Sequence, residues 1–412
     1  MAERVVIVGA GQAGAQVAIS LRQLGFAGAV VLLGEEPEPP YQRPPLSKAV
    51  LSGEMAPERT LIRSPAYYAK SAIELRPGTR VERILPARRA VETADGETLP
   101  YDVLVLCTGT GARRLALPGG DLAGVLYLRT LADAARIREA ARAGARAVIV
   151  GGGYIGLEVA ASLTKLGCRV AVVEALERVM SRVAAPPVSA FFTGEHRRHG
   201  VEILTGTAVS ALEGERRVAA VLTQPGRRLP AELVVIGVGA VPNDGLARAA
   251  GLAVDNGIVV DARGRTSDAA IYAAGDVTSH PNAIFDCRVR LESVHNAMAQ
   301  AKVVAQAILG QGARYAEVPW FWSDQYDLKL QIAGLGGPDD KLILRGDPAA
   351  RAFSCLHLRQ GRLVALECIN RGADFLAGQK LIRERAPLDR AAAADPACKL
   401  AEATARCPGG GS

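Results

Sequence analysis

Two stretches of the chain repeat one pattern of apolar and polar positions. In each, a short apolar run leads into glycines spaced G-x-G-x-x-G, a segment with apolar residues at helical spacing follows, and a second apolar run ends in glutamate. The first stretch covers residues 4–36 and the second covers residues 146–175. Short apolar runs are typical of buried parallel strands, and the spacing between them indicates an amphipathic helix. The pattern therefore predicts two strand-turn-helix-strand units.

Each glycine in such a turn has its own physical role. The glycines are Gly9, Gly11 and Gly14 in the first stretch and Gly151, Gly153 and Gly156 in the second. The first glycine permits a tight turn, the second lets a pyrophosphate approach the backbone, and the third lets the helix pack on the strand. The amides at the helix N-terminus then face the phosphates. Two complete units predict two bound adenine dinucleotides, one of them a flavin that stays bound.

The predicted helices and the glutamates refine this picture. The apolar residues expected to face the sheets are Ala13, Val17, Leu21 and Leu24 in the first helix and Ile155, Val159, Leu163 and Leu166 in the second. Glu35 and Glu174 each follow the second strand of a unit, where an acid accepts hydrogen bonds from an adenosine ribose. Because a carboxylate repels a 2'-phosphate, Glu174 predicts NADH rather than NADPH.

A proline-rich segment, residues 37–48, follows the first unit. Its prolines oppose regular helix and favour extended or turn structure, so the segment would hold Arg43 and Lys48 in place. It is either a simple surface connection or a loop that contacts the cofactor. Its position directly after the first ribose-binding strand favours cofactor contact.

Further along the chain, three segments are predicted to add elements to the first sheet and residues to its cofactor site. Residues 101–111 predict a buried strand that returns to the first sheet and ends at Thr108 and Gly109. Residues 266–276 predict a short strand that delivers Asp276 to the sheet edge where ligands collect, and this acid would accept hydrogen bonds from a polyol. A predicted helix over residues 290–308 would bring a positive dipole end to the same place.

Two features in the second half of the chain say less about function. His196 and His199 lie three residues apart on a predicted helix, but no further ligand has matching spacing, so we interpret them as part of a solvated helix face rather than a metal site. From residue 319 onward the composition changes, and both tryptophans fall in a segment that begins a smaller mixed domain. The tail ends in PGGGS, whose last residues we expect to be disordered.

Composition narrows the class of protein. A chain of 412 residues predicts about three domains, and no apolar run is long enough for a membrane span. Its seven cysteines include no C-x-x-C pair, which argues against structural zinc or an iron-sulfur cluster and predicts a reducing, cytoplasmic location. The net charge of +7 comes largely from scattered arginine, and only 4% of residues are aromatic, which argues against nucleic-acid binding. This charge either steers an acidic partner or is ordinary solvated charge.

Several motifs together resemble one family across nearly the whole chain. GGGYIGLEVA, APPVSAF, the CTG return strand, YAAGD and WFWSDQY resemble the FAD-dependent NADH:ferredoxin reductases of the putidaredoxin reductase and palustrisredoxin reductase type. The resemblance implies an α/β fold with two Rossmann-like dinucleotide-binding domains, glutathione-reductase-like in architecture, and a C-terminal α+β domain. It divides the chain into an FAD-binding domain (1–112 and 243–317), an NADH-binding domain (113–242) and a C-terminal interface domain (318–412).

The resemblance also implies roles for individual residues. Those expected to bind FAD are Gly9, Gly11, Ala13, Gly14, Glu35, Arg43, Lys48, Val81, Thr108, Gly109, Arg129, Asp276 and Val294. Those expected to bind NADH are Gly151, Gly153, Tyr154, Ile155, Gly156, Glu158 and Glu174. Trp320 and Trp322 are expected to cover the flavin, with packing in the domain core as the alternative. Lys48 and Glu158 are expected to form an ion pair that takes part in catalysis and joins the FAD and NADH domains.

The implied activity is hydride transfer from NADH to FAD, followed by single-electron transfer to an acidic [2Fe-2S] ferredoxin. That ferredoxin would feed a haem-thiolate monooxygenase or a ring-hydroxylating dioxygenase, and the reductase would be a monomer. Disulfide reductases of this architecture carry a cysteine pair in the first domain, but residues 37–48 contain none. The alternatives are an NADH oxidase that uses oxygen, which usually needs a reactive cysteine, and a signalling protein similar to apoptosis-inducing factor, which would typically carry a targeting leader.

Overall fold

Strands and helices alternate through most of the chain. A computed structural model describes residues 2–224 and 226–404. Its strands, in chain order, are β1 Arg4–Val8, β2 Ala29–Leu33, β3 Ile73–Arg76, β4 Val81–Leu85, β5 Ala90–Thr93, β6 Thr98–Pro100, β7 Val103–Leu106, β8 Thr110–Ala112, β9 Val125–Tyr127, β10 Arg146–Val150, β11 Arg169–Val173, β12 Glu202–Leu204, β13 Val209–Glu213, β14 Ala220–Thr223, β15 Arg228–Pro230, β16 Leu233–Ile236, β17 Ala240–Pro242, β18 Ile258–Val259, β19 Ile271–Ala273, β20 Thr278–Asn282, β21 Cys287–Val289, β22 Trp320–Gln325, β23 Leu328–Gly334, β24 Lys341–Asp347, β25 Ala352–Arg359 and β26 Arg362–Ile369.

The helices connect these strands. They are α1 Gln12–Gln23, α2 Ala49–Ser52, α3 Pro65–Lys70, α4 Leu131–Ala140, α5 Tyr154–Lys165, α6 Pro186–Arg198, α7 Gly245–Ala249, α8 Val294–Ile308, α9 Gly372–Glu384 and α10 Arg390–Ala394. Short 3-10 helices cover Pro44–Ser47, Pro57–Thr60, Pro86–Arg88 and Leu400–Glu402. No helix within the described ranges has the length and apolar character needed to cross a membrane.

The chain forms two compact units. The first contains residues 2–42, 58–111 and 240–319, and its parallel sheet has the order β19-β7-β1-β2-β3. Helices α1 and α8 pack together on one face of this sheet, and both contribute buried residues, such as Leu21 and Ala301, to the same core. On the other face, the antiparallel strands β4, β5 and β6 contribute apolar residues to a second core. Covering both faces is what a parallel sheet requires, because its strands are apolar on both sides.

The second unit contains residues 43–57, 112–239 and 320–404. Its parallel sheet has the order β12-β11-β10-β16-β9, and the antiparallel strands β13, β14 and β15 pack on one face. Helix α5 packs against β10 and β11 of this sheet. A separate antiparallel sheet, β22-β23-β26-β25-β24, follows in the last part of the chain, with α9 against β23 and β26.

The two parallel sheets repeat one arrangement. In each, the strand that enters the glycine turn is central, the strand after the helix lies on one side and the return strand lies on the other. Thus Val5–Val8 pairs with both β2 and β7, and Ala147–Val150 pairs with both β11 and β16. Each sheet also has a three-stranded antiparallel layer inserted before its return strand. The duplicated α/β fold predicted from the sequence is confirmed, whereas the proposed domain boundaries stay a prediction.

Three local expectations were wrong. Leu24 is 38% exposed because α1 ends at Gln23, and Ile155 is 49% exposed because it lies in the first turn of α5, beyond the end of β10. His196 is fully buried rather than on a solvated helix face, since α6 packs its side chain against Gln325 and Tyr326. The expected disorder of the tail concerns residues that lie outside the described ranges.

A buried arginine holds the last segments of the second unit together. Arg345 on β24 is 1% exposed, and its Nε donates to Asp374 Oδ2 at 3.1 Å. Its guanidinium also donates to the carbonyls of Ala393 (3.3 Å), Cys398 (2.5 Å) and Asp395. One planar cation therefore satisfies a carboxylate on α9 and three carbonyls in and after α10, which is the multidentate geometry that guanidinium favours.

We expect Arg345→Met to destabilise the C-terminal sheet strongly. The change leaves the Asp374 carboxylate without one buried cationic partner and three carbonyls without their donor, so the free energy of unfolding should fall by about 3 kcal/mol or more. Urea unfolding followed by circular dichroism measures this difference. The control is Arg390→Met, which changes an exposed arginine on α10 and should alter stability by less than about 0.5 kcal/mol. Equal stability of the two variants would contradict a stabilising role for Arg345.

Candidate functional site

The first glycine turn leaves no room for side chains at two of its three glycines. Gly9 has φ +106°, and a Cβ there would lie 2.2 Å from the carbonyl oxygen of Cys107. A Cβ at Gly14 would lie 1.9 Å from the carbonyl oxygen of Gly9. A Cβ at Gly11, by contrast, would meet nothing within 4 Å. The backbone is therefore tightly packed beneath the turn and open above Gly11, the position where a pyrophosphate approaches in such turns.

Helix α1 begins at this open position. Gly11 is its N-cap residue, no side chain caps it, and its first turn contains no acidic residue. The first amides of a helix have no partner within the helix and carry a partial positive charge. An uncapped N-terminus above an open glycine is the environment a diphosphate needs, so the first turn fits the FAD expected from the sequence.

The segment around Asp276 lies against the same turn. A Cβ at Gly275, where φ is +87°, would lie 2.9 Å from the Cβ of Ala13, and the Gly275 amide donates to Gln300 Oε1 at 2.7 Å. Val294 begins α8, directly after the N-cap Ser293. The first unit thus brings the turn at Gly9–Gly14 and the Gly275 backbone together, with half-buried Asp276 as the next residue.

The other predicted FAD residues of the first unit differ in how firmly they are held. Thr108 Oγ1 donates to the carbonyl of Asn243 at 2.8 Å, and Asn243 Nδ2 donates back to the Thr108 carbonyl at 2.9 Å. Gly109, with φ +64°, accepts from the Asn243 amide at 3.0 Å. Val81 is buried at the start of β4, and exposed Glu35 lies 3.3 Å from Arg80. Their contacts with FAD stay predictions.

The second glycine turn repeats the geometry of the first. A Cβ at Gly151, where φ is +107°, would lie 2.4 Å from the Gly237 carbonyl oxygen, and one at Gly156 would lie 2.1 Å from the Gly151 carbonyl oxygen. A Cβ at Gly153 would meet nothing within 4 Å, and this residue is the uncapped N-cap of α5. The exposed side chain of Ile155 belongs to the first turn of this helix. The second turn therefore also fits a dinucleotide.

Glu174 is fixed beside the second turn. Its Oε2 accepts the amide of Gly152 at 2.7 Å, and its Oε1 accepts the amide of Leu176 at 2.9 Å. Two backbone donors orient the carboxylate before any ligand binds. Nearby, the hydroxyl of Tyr154 donates to the Val183 carbonyl at 3.1 Å. The preference for NADH over NADPH that Glu174 implies stays a prediction.

A buried carboxylate, Glu158, lies about one turn after the start of helix α5. Glu158 is only 3% exposed, and its Oε2 accepts from Lys48 Nζ at 2.7 Å and from Ser47 Oγ at 2.5 Å. Its Oε1 accepts from Ser323 Oγ at 2.6 Å. Lys48 Nζ also donates to the Pro44 carbonyl at 3.2 Å. The ion pair implied by the resemblance is present within the second compact unit, and its role in joining the FAD and NADH domains stays a prediction.

Sequence reasoning missed both serines that bond to Glu158. Ser47 directly precedes Lys48, and the prolines at the first two positions of the 3-10 helix Pro44–Ser47 hold the pair in place. Ser323 follows three aromatic residues on β22 and shares a strand face with Phe321, so a polar residue on the same face as an aromatic one was the available signal. A buried charge that is fully hydrogen-bonded is costly to assemble, and such groups cluster at functional sites.

The remaining predicted residues of the second unit lie near its segment boundaries. Arg43 donates to the carbonyl of Arg129 at 2.6 Å. The rings of Trp320 and Trp322 have centroids 5.6 Å apart, and Trp320 meets Phe375 of α9 edge to face at 5.6 Å. Trp320 therefore contributes to packing in the C-terminal sheet, and its contact with a flavin stays a prediction.

No reactive thiol accompanies these sites in the described residues. Cys107, next to the first turn, is fully buried, and burial raises its pKa to about 12, so it is a poor nucleophile at neutral pH. The six described cysteines are all free, while Cys407 lies outside the described ranges. Within residues 2–224 and 226–404, no three His, Cys, Asp or Glu side chains are grouped so that they could hold a metal ion.

Comparison with known proteins places the chain in a family. Residues 3–301 match the pyridine nucleotide-disulphide oxidoreductase model, and residues 320–404 match the reductase C-terminal model. A ferredoxin–NAD(P)(+) reductase of Sphingomonas is 46% identical over 93% of this chain and 94% of its own length. The fold matches a covalent putidaredoxin reductase–putidaredoxin complex (TM-score 0.94, 43% identity, 97% of each chain). It also matches the ferredoxin reductase for the CYP199A2 system of Rhodopseudomonas palustris (TM-score 0.95, 40% identity, 98% of this chain and 100% of that one).

These matches span nearly the whole chain, and both glycine turns have the geometry that the family's two dinucleotides require. The chain therefore belongs to the pyridine nucleotide-disulphide oxidoreductases, among the FAD-dependent ferredoxin reductases that end in a reductase C-terminal domain.

Proposed function

We propose that this enzyme oxidises NADH with a bound FAD and passes the electrons singly to a [2Fe-2S] ferredoxin that serves a bacterial oxygenase. The observation that carries the proposal is the pair of uncapped helix N-termini at Gly11 and Gly153, each above a glycine turn that leaves its ligand side open. Relatives whose names include putidaredoxin and the CYP199A2 system support a ferredoxin as acceptor and a haem-thiolate oxygenase as its client, with a ring-hydroxylating dioxygenase as the alternative.

The first turn would hold FAD through its diphosphate. The amides at the start of α1 would donate to the phosphates, and Asp276 would accept from the hydroxyls of the ribityl chain. Bound FAD supplies the chemistry that amino-acid side chains lack, since it accepts a hydride and releases electrons one at a time. Gln300 supports this site indirectly, because its Oε1 fixes the Gly275 amide next to Asp276.

The second turn would hold NADH in the same manner. The amides at the start of α5 would bind its diphosphate, and the preoriented Glu174 carboxylate would accept from both hydroxyls of the adenosine ribose. No acid or base residue has to exchange a proton with the nicotinamide during hydride transfer. The protein's task here is to bind and orient.

Lys48 and Glu158 would orient the nicotinamide end of NADH and set the local charge. Lys48 is 19% exposed, so its ammonium group keeps access to solvent or ligand while Glu158 holds it. A fixed cation stabilises negative charge that develops during hydride transfer. The absence of cysteine from residues 37–48 supports direct electron release from the flavin rather than thiol exchange.

The partner would be acidic and bind transiently. A net charge of +7 favours encounter with an acidic ferredoxin, and electron-transfer encounters are typically small and weak. We propose that the reductase acts as a monomer in the cytoplasm, a reducing compartment that suits its six free described cysteines.

The proposed activity is tested by NADH-driven cytochrome c reduction with and without a [2Fe-2S] ferredoxin. We expect a rate that depends on ferredoxin and falls as salt rises, since salt screens the encounter of opposite charges. The control measures oxygen consumption without ferredoxin. Rapid oxygen consumption with no stimulation by several ferredoxins would contradict the proposal and favour an NADH oxidase.

Glu174→Ala tests the nucleotide preference. Loss of charge-assisted hydrogen bonds to the ribose should lower kcat/KM for NADH by about tenfold or more, and the NADH over NADPH preference should shrink. Steady-state kinetics with both nucleotides measure this. The control is Glu177→Ala, which removes an exposed negative charge three residues away. Equal effects of the two variants on NADH would remove Glu174 from the ribose site.

Lys48→Ala tests the role of the buried ion pair. Loss of the cation should slow flavin reduction by NADH about tenfold or more, because negative charge developing at the site loses its partner. Anaerobic stopped-flow absorbance measures the limiting rate. Lys165→Ala, which breaks an exposed pair with Glu54, should leave this rate unchanged. An unaltered rate in Lys48→Ala would exclude Lys48 from hydride transfer.

A further inference from the structure

A continuous chain of hydrogen bonds leads from Glu158 through the C-terminal sheet to α6. Ser323 Oγ donates to Glu158 Oε1 at 2.6 Å, and Gln325 Nε2 donates to Ser323 Oγ at 3.2 Å. His196 Nε2 lies 2.9 Å from Gln325 Oε1, and the Tyr326 hydroxyl lies 3.0 Å from His196 Nδ1. Ser323, Gln325 and His196 are each at most 1% exposed, so water does not compete for these bonds.

The carboxylate at one end fixes the direction of every bond. A Glu158 carboxylate can only accept, so Ser323 must donate to it and must itself accept from the amide NH₂ of Gln325. The Gln325 oxygen then faces His196, which must carry its proton on Nε2 and accept from Tyr326 on Nδ1. Burial lowers the pKa of His196 to about 4, which keeps the ring neutral at physiological pH as this arrangement requires.

Strand β22 presents one face to the helices of the second unit. Phe321, Ser323 and Gln325 alternate along the strand and therefore point to the same side. The ring of Phe321 packs on Tyr154 with centroids 4.7 Å apart, and Ser323 bonds to Glu158 one helical turn later. Gln325, the third residue on this face of the strand, is hydrogen-bonded to His196 on α6. Strand β22 thus lies along the start of α5, where NADH would bind, and it fixes the Glu158 carboxylate of that helix.

The ion pair alone does not fix Glu158. Lys48 and Ser47 both bond to Oε2, so without a further donor Oε1 would be an unpaired buried acceptor. The bond from Ser323 to Oε1 supplies the second point of attachment. Donors on both oxygens oppose rotation of the carboxylate about its Cγ–Cδ bond, and Oε2 in turn holds the Lys48 ammonium.

We propose that Ser323 and Gln325 are positioning residues for hydride transfer, and that the C-terminal domain thereby completes the NADH site. Ser323 orients the Glu158 carboxylate, and Gln325, itself oriented by His196, keeps the Ser323 proton directed at Glu158. The proposal rests on the proposed function, in which Glu158 and Lys48 orient the nicotinamide. It assigns to the reductase C-terminal domain a part in flavin reduction that is separate from any contact with ferredoxin.

The experiment measures anaerobic flavin reduction by NADH in the full-length holoenzyme carrying Ser323→Ala or Gln325→Leu. We expect the limiting rate to fall about tenfold while the apparent Kd for NADH changes less than about threefold, because a lost bond to a charged group affects orientation more than nucleotide binding. Ser323→Thr keeps the hydroxyl and should restore most of the rate.

The chain offers a closely matched control. Ser354 lies in the same sheet, is likewise fully buried, and donates to a buried carboxylate, Asp374 Oδ2, at 2.9 Å. Ser354→Ala should lower the thermal midpoint by an amount comparable to Ser323→Ala, but it should leave the limiting rate of flavin reduction unchanged. If both variants slow reduction equally, the effect of Ser323 is general destabilisation and the proposal is overturned.

A double-mutant cycle separates this proposal from the proposed function. In a Glu158→Gln background, Ser323→Ala should cause little further loss of rate, because both changes act on the same group. A full additional loss would show that Ser323 acts elsewhere and would overturn the inference. If Glu158→Gln and Lys48→Ala leave flavin reduction unchanged, the proposed role of the ion pair fails instead. If Glu158→Gln and Lys48→Ala slow flavin reduction and Ser323→Ala does not, the role proposed for Ser323 fails and the role of the ion pair stands.

Discussion

A single carboxylate, Glu158, imposes the strongest constraint on the second unit. Removing such a charge from water costs several kcal/mol unless donors replace the lost hydration. Its three donors, Ser47, Lys48 and Ser323, come from parts of the sequence more than a hundred residues away. The carboxylate is satisfied only when the proline-rich segment, α5 and β22 are all in place. The charge at the site therefore depends on the correct packing of these three elements.

The glycine turns express a different constraint, which is steric. In both units the backbone passes so close to the return strand that a Cβ at Gly9 or Gly151 would overlap a carbonyl oxygen. The same turn then leaves open space at Gly11 or Gly153. Tight packing below and open space above explain how one short motif can serve two cofactors. The two units differ at the glutamate expected to bind the ribose. Glu174 accepts from two backbone amides, whereas Glu35 is exposed beside Arg80.

The sequence was sufficient for features that repeat along the chain. Apolar periodicity located the strands of both parallel sheets, because each strand is a short run of consecutive apolar residues that can be recognised locally in the sequence. Apolar periodicity failed at Leu24, which lies just past the end of α1, and at Ile155 in the first turn of α5, because neither end of a helix is covered by its sheet. The bonds from Ser323 to Glu158 and from Arg345 to Asp374 join distant positions, and no local pattern encodes such a pairing. The burial of His196 was missed for the same reason, since its partners lie on β22 and the turn that follows it.

The division of the chain between its two units has a consequence for biosynthesis. The central strand β1 is synthesised more than 260 residues before its sheet is completed by β19, and α8, which covers one face of that sheet, ends only at Ile308. Neither unit is made from one continuous segment. Domains that form from continuous segments can fold in order during synthesis, but here the first sheet keeps apolar surface uncovered until β19 and α8 have been translated. During that interval the nascent polypeptide exposes apolar strands with unpaired edges, which is the condition under which folding intermediates aggregate.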